Sequence, residues 1–185
     1  MADDVVRYPW YGAVSGPDLE QGDILLDCPV FLIPPDAVRQ PGDHAITIER
    51  QRQNVIVMTQ SCDLAVRRDG KCNADDVILA ALYSRHELKK DKHFGKLHGW
   101  EQARKGGFPR YHVLNQCGIP GHELDYMLVD LERVFTLSAD AVREVAAAEG
   151  KDRVRLLPPY REHLSQAFAR FFMRVGLPVD IPPFK

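Results

Sequence analysis

The sequence predicts a mainly β fold with α additions (α+β), built as a small barrel or strongly curled sheet, and three observations carry the expectation. Short apolar runs such as Val55-Ile-Val-Met58 and Val77-Ile-Leu79 have the length and β-branching of buried strands. A charged stretch, residues 84–107, separates two groups of such runs, and one strongly amphipathic segment, residues 158–175, closes the chain. Regular alternation of strands and helices, which a doubly wound fold requires, is absent. With 185 residues and 45% hydrophobic content, the chain can bury one good core.

Residues 1–20 carry Tyr8, Trp10 and Tyr11 among Pro9, Gly12, Gly16 and Pro17, which predicts an extended aromatic arm pinned by its rings to a single domain at 21–185. Gln21-Gly-Asp-Ile-Leu-Leu26 begins the first strand, Pro29 breaks it and Val30-Phe-Leu-Ile33 resumes it, so a bent or edge strand is expected. Residues 36–43, with Pro41-Gly42, read as a loop, and residues 45–49 and 54–59 as a hairpin around residues 50–53. After the turn Arg67-Arg-Asp-Gly-Lys71, Asp76-Val-Ile-Leu-Ala-Ala-Leu82 is a second core strand.

The 84–107 insertion reads as helical in pieces, interrupted at Gly95 and Gly99 and ended by Gly106-Gly107. Strands follow at 110–114 and 125–131, the second bending onward through Thr136. Ser138 caps a short alanine-rich helix that closes near Gly150. Pro158-Pro159 opens the last helix, which carries Tyr160, Leu164, Phe168, Phe171, Phe172 and Val175 on one face and is stopped by Gly176 and Pro178. That face either packs on the core or docks on a second copy in a homodimer. Together these elements suit an SH3-like barrel with a helical insertion and a C-terminal helix.

Several function classes drop out. The acidic opening Met-Ala-Asp-Asp-Val-Val lacks the pattern of a signal peptide, and no apolar run approaches the roughly 20 residues of a membrane span, so a cytoplasmic protein without membrane association is expected. Cys28, Cys62, Cys72 and Cys117 are scattered without a Cys-x-x-Cys pair and read as reduced thiols. No phosphate-binding glycine loop, Gly-x-Ser-x-Gly elbow or His-Glu-x-x-His helix occurs, and no cofactor or resident metal is expected.

Two regions hold the candidate chemistry. The first is the run Thr59-Gln-Ser-Cys-Asp63 at the end of an apolar strand, where Cys62 can serve as a nucleophile if a histidine stabilises its thiolate, or can be a small core residue. Asp63 can act beside it or can bond its own turn, and Gln60 and Ser61 can equally satisfy loop backbone. Cys62, Cys72 and a histidine would make a mixed zinc site, and Asp23, Asp63, Asp75 and Asp76 an acidic metal site for phosphodiester cleavage, if the fold gathered them. The second region is basic. Net charge is −2, yet residues 85–110 hold eight Lys or Arg against three acids, a local excess of +5 that leaves −7 elsewhere. There Lys89, Lys90, Lys92, Lys96, Arg104 and Lys105 can neutralise phosphates while Trp100 or Phe94 stacks on a base, or the segment is a solvated charged helix.

Gln21-Gly-Asp-Ile-Leu25, Val55-Ile-Val-Met-Thr59 and Leu128-Val-Asp-Leu-Glu-Arg-Val134, in that order, resemble the opening, central and late strands of the MazF/PemK toxin family. The likeness covers about a third of the chain. It implies an SH3-like barrel acting as an endoribonuclease, with Arg39 and Thr59 as the residues that act on RNA. Thr59-Gln-Ser-Cys-Asp-Leu64 and Pro158-Pro-Tyr-Arg-Glu-His-Leu164 are similar to a family of uncharacterised bacterial proteins, a likeness that brings no mechanism. The expectation is therefore a bacterial cytoplasmic binding module that recognises nucleic acid or a protein partner through the basic insertion and the 59–63 loop. A MazF/PemK-like endoribonuclease and a thiol or metal enzyme at Cys62 are the alternatives.

Overall fold

A computed structural model describes residues 8–148 and 152–173, except 36, 38, 40–44, 46 and 69. The chain runs β1 (Tyr11–Val14), β2 (Ile24–Leu32), β3 (Glu49–Val57), α1 (Ser61–Leu64), β4 (Asp76–Ser84), a single 3-10 turn (Glu87–Lys90) and α2 (Leu97–Arg104). It continues through β5 (Tyr111–Leu114), β6 (Met127–Ser138), α3 (Ala139–Ala147), β7 (Arg153–Leu156) and α4 (Tyr160–Phe172). The fold is α+β and mainly β.

The central sheet is antiparallel in the order β2-β3-β4-β6-β5 and is covered on both faces. Val55 and Val57 of β3, with Leu79 and Ala81 of β4, pack beneath Val142 and Ala146 of α3. The alternate residues Ile56, Ala80 and Leu82 face Val154 and Leu156 of β7 and Leu164 of α4. A strand with core on both sides cannot use polar residues at every second position, so Val55-Ile-Val57 is an unbroken apolar run, wholly buried.

Bulges bend the sheet at two places. In β2 the register slips between Leu25 and Cys28, where Asp27 takes a positive φ of 54°. Pro29 is tolerated because β2 lies at the sheet edge, as the sequence predicts. In β6, Asp130 faces Ala81 while Val134 faces Ala80, leaving residues 131–133 as extra backbone. Asp130 stabilises that excursion: its Oδ1 accepts from Glu132 N at 3.1 Å and Arg133 N at 3.3 Å, and Arg110 grips the carboxylate at 2.8 and 2.5 Å.

Several expectations require correction. Residues 50–53 are not a hairpin turn but the middle of β3, where Phe31 pairs with Arg50 and Cys28 with Gln53. The alternation of polar and exposed positions there mimics a turn, because an edge-strand neighbour is solvated on one face. The outer strands β2 and β5 are not paired with each other, so among the described residues the sheet is open and does not close into a barrel. The arm is itself a strand, since β1 pairs antiparallel with β7, Tyr11 opposite Leu156. Two of its three rings anchor it: Trp10 stacks on Tyr160 at 3.6 Å, and Tyr11 is buried and donates to the Asn115 carbonyl at 2.7 Å, whereas Tyr8 is exposed.

Ser138 caps α3 as expected, accepting from Ala141 N. On α4, Tyr160, Phe168 and Phe171 pack toward the core around Leu164, while Phe172 is exposed. Gly150, Val175, Gly176 and Pro178 lie outside the described residues. No helix among those described is long and apolar enough to cross a membrane.

Candidate functional site

The residues after β3 are held by their own hydrogen bonds. Met58 N donates to Ile78 O at 2.8 Å, and the Thr59 hydroxyl accepts from Ile78 N at 2.8 Å, so a side chain extends the β3–β4 ladder. Ser61 Oγ accepts from Gln21 N at 3.2 Å, and Gln21 Nε2 donates to Met58 O at 2.7 Å. Cys62 is exposed at the start of α1, its Sγ 3.7 Å from Asp63 Oδ1 and its carbonyl bonded by Asn73 Nδ2 at 3.1 Å. Ala74 N donates to Asp63 O at 2.8 Å.

These contacts tie a loop together, and no histidine hydrogen-bonds Cys62 among the described residues. Arg39 is exposed on the loop beyond β2, with no hydrogen bond or ion pair to Thr59 among those described. The metal alternatives fail on placement. Cys72 is buried in the core while Cys62 faces solvent, and no cluster of three His, Cys, Asp or Glu able to hold a metal ion occurs among the described residues. Asp23 lies buried in an ion network, its Oδ2 accepting from Arg153 Nε at 2.9 Å and its Oδ1 from Arg155 Nε.

The basic insertion is a folded unit with a core of its own. Phe94, Trp100 and Ala103 bury against Leu128 of β6, the Trp100 indole donating to Phe94 O at 2.8 Å. Phe94 meets Tyr111 edge to face with centroids 4.9 Å apart. Trp100 and Phe94 are therefore structural anchors that hold the insertion on the sheet rather than solvent-facing stacking platforms. Close backbone packing explains Gly99, where a Cβ would lie 2.1 Å from His93 O.

The cations divide into two sets. Arg104 and Lys105 both grip Glu101, at 2.7 and 3.2 Å, and hold its carboxyl down to about 2. Lys89, Lys90, Lys92 and Lys96 are exposed, and among the described residues no acid pairs with their ammonium groups.

Beside this unit a cleft of about 720 Å³ lies between α2, β5 and α4. Trp10, Tyr160, Arg104, His112, His163 and Arg170 are among the groups that line it. Burial, with a smaller contribution from nearby His163, pushes the His112 imidazole down to about 4, so it is neutral near pH 7. Neither histidine was singled out from the sequence. The available signal was the spacing of Tyr160, His163, Ala167 and Arg170 along one helix face.

Another cavity, about 520 Å³ between β2, residues 121–124 and α3, bears Asp27, Glu123 and Asp152, and its Arg153 is committed to Asp23. Its acidic lining disfavours a polyanion. Compared with known proteins, the chain matches no protein-family model and no curated protein.

Proposed function

We propose that this protein is a nucleic-acid-binding module of the bacterial cytoplasm that engages phosphates through the insertion carrying α2. The observation that carries the proposal is the set Lys89, Lys90, Lys92 and Lys96, four exposed and unpaired cations on a segment with its own buried core. Unpaired surface lysines on a rigid base release counterions from a phosphate backbone without first breaking an internal ion pair. Cys28, Cys62, Cys72 and Cys117 form no disulfide with one another, which suits a reducing compartment. The bulges in β2 and β6 are the devices that curl a sheet, and they support kinship with the SH3-like barrel although the strand order is open.

The test is electrophoretic mobility of labelled single-stranded RNA and duplex DNA at two salt concentrations, with strand integrity read on a denaturing gel. Intact strands should be retained, and four phosphate contacts predict a slope of log affinity against log salt of about −3 on single strands. Alanine at all four lysines should remove most of that slope. The MazF/PemK-like endoribonuclease instead requires RNA cleavage abolished by Thr59→Ala, and a thiol enzyme requires an activity lost in Cys62→Ser. No retention and no cleavage would refute both nucleic-acid readings and favour a protein partner.

A further inference from the structure

The 720 Å³ cleft adjoins two others. A cavity of about 440 Å³ shares Arg104 and Val113 with it, and one of about 380 Å³ shares Phe108, Pro109 and Tyr111. The three follow the seam where the insertion meets β5, the smallest beginning at Asp91 and His93 and the other flank reaching Arg85 and Tyr126.

The charge along this seam is not uniform. Arg104 pairs with Glu101 and Arg110 with Asp130, which leaves Arg85 and Arg170 as the two arginines of the seam without an ion pair among the described residues. The same linings carry the rings of Tyr111, Phe108 and Trp10 and the neutral His112.

Cations along a seam, with rings and hydrogen-bonding imidazole in the same linings, are the chemistry that takes a sugar-phosphate backbone and its unpaired bases. A cavity within the 300–1,000 Å³ range of small-molecule sites has room for a nucleotide. A duplex would meet only the rim, because its bases are paired and stacked away from the cleft. Resting on the nucleic-acid reading above, we infer that the seam is a track for a single strand, with one unstacked base in the largest cleft, and that the protein prefers single strands to duplex.

Fluorescence anisotropy on the full chain tests this, with labelled oligo-dT and oligo-rU of about 12 nucleotides, near the upper range for one small domain, and a duplex of equal length. The variants are His163→Ala combined with Arg170→Glu, both exposed positions on α4, and the alanine replacement of the four insertion lysines. Circular dichroism verifies that each is folded. Wild type should bind the single strands at least about tenfold more tightly than duplex, and the α4 variant should lose on the order of tenfold on single strands with duplex affinity nearly unchanged.

The lysine variant should weaken both forms alike. If dT and rU bind equally, the track reads backbone and bases; preference for rU would locate a contact to the ribose hydroxyl within the same track. Unchanged single-strand binding by the α4 variant, or equal affinity of wild type for duplex, overturns the track while the module reading stands. Absence of binding to every probe overturns both.

Discussion

Replacing Asp23 by alanine should be among the most damaging single changes in this protein. The carboxylate is fully buried and receives Arg153 Nε at 2.9 Å, Arg155 Nη2 at 3.0 Å and Glu20 N at 3.1 Å, besides Arg155 Nε. Arg153 is itself only 4% exposed in its side chain, so without Asp23 its charge keeps backbone carbonyls of Gly16 and Asp18 and no counter-charge.

Removing one partner of a buried pair costs about 3–5 kcal/mol, because the desolvated survivor is left uncompensated. For a domain of this size, 1 kcal/mol corresponds to roughly 2–4 °C, so Asp23→Ala should lower the melting temperature by about 10 °C. Urea unfolding followed by circular dichroism measures the loss directly.

The same network fastens residues 16–23 to β7 and, through Glu20 and Arg161 at 3.0 Å, to α4. The cleft beside Trp10 and Tyr160 should therefore loosen with it. Pairing Asp23→Ala with Arg153→Met removes the stranded charge and should restore more than half of the loss, since buried pairs are replaceable by apolar groups at little net cost. A single-variant loss below about 1 kcal/mol, or a double variant no better than the single, would refute the uncompensated-charge account.

Two further outcomes follow from the cleft and the insertion. His112 is depressed to about 4 by burial, so the unfolded chain binds its proton more tightly than the folded one. Its contribution is present above the ordinary pKa near 6.5 and is lost as pH falls toward 4, about 2 kcal/mol by pH 5. Urea midpoints at pH 7 and pH 5 should show that loss in wild type and a smaller one in His112→Phe. Gly99→Ala should destabilise the insertion by about 1–3 kcal/mol through the clash with His93 O, opposite in sign to the gain alanine brings to an unconstrained helix. Hydrogen exchange should show faster exchange at Trp100 and Ala103 with the central sheet still protected; unchanged exchange would remove the close-packing account of Gly99.

What the sequence by itself determined is what short-range chemistry encodes. Val55-Ile-Val57 and Val77-Ile-Leu79 lie in β3 and β4 as their apolar, β-branched composition predicts, the first buried on both faces and the second buried at Val77 and Leu79 with Ile78 exposed. Ser138 and the spacing of Leu164, Phe168 and Phe171 mark α3 and α4 for equally local reasons. Gly95 and Gly106 flank α2, but the interruption expected at Gly99 does not occur, because Gly99 sits buried inside the helix against His93 O.

Tertiary structure alone decided the rest. The pairing of β1 with β7 joins Tyr11 to Leu156 across most of the chain, and Arg153 of that strand is buried because Asp23 supplies its counter-charge. Trp100 has the composition of a stacking residue and the position of a core one. The cleft joins His112 of a strand to the helix face that carries His163 and Arg170, and no local pattern links the strand to that face. Burial and charge compensation are properties of packed neighbours, and neighbours distant in sequence are chosen only when the sheet, the insertion and α4 close on one another.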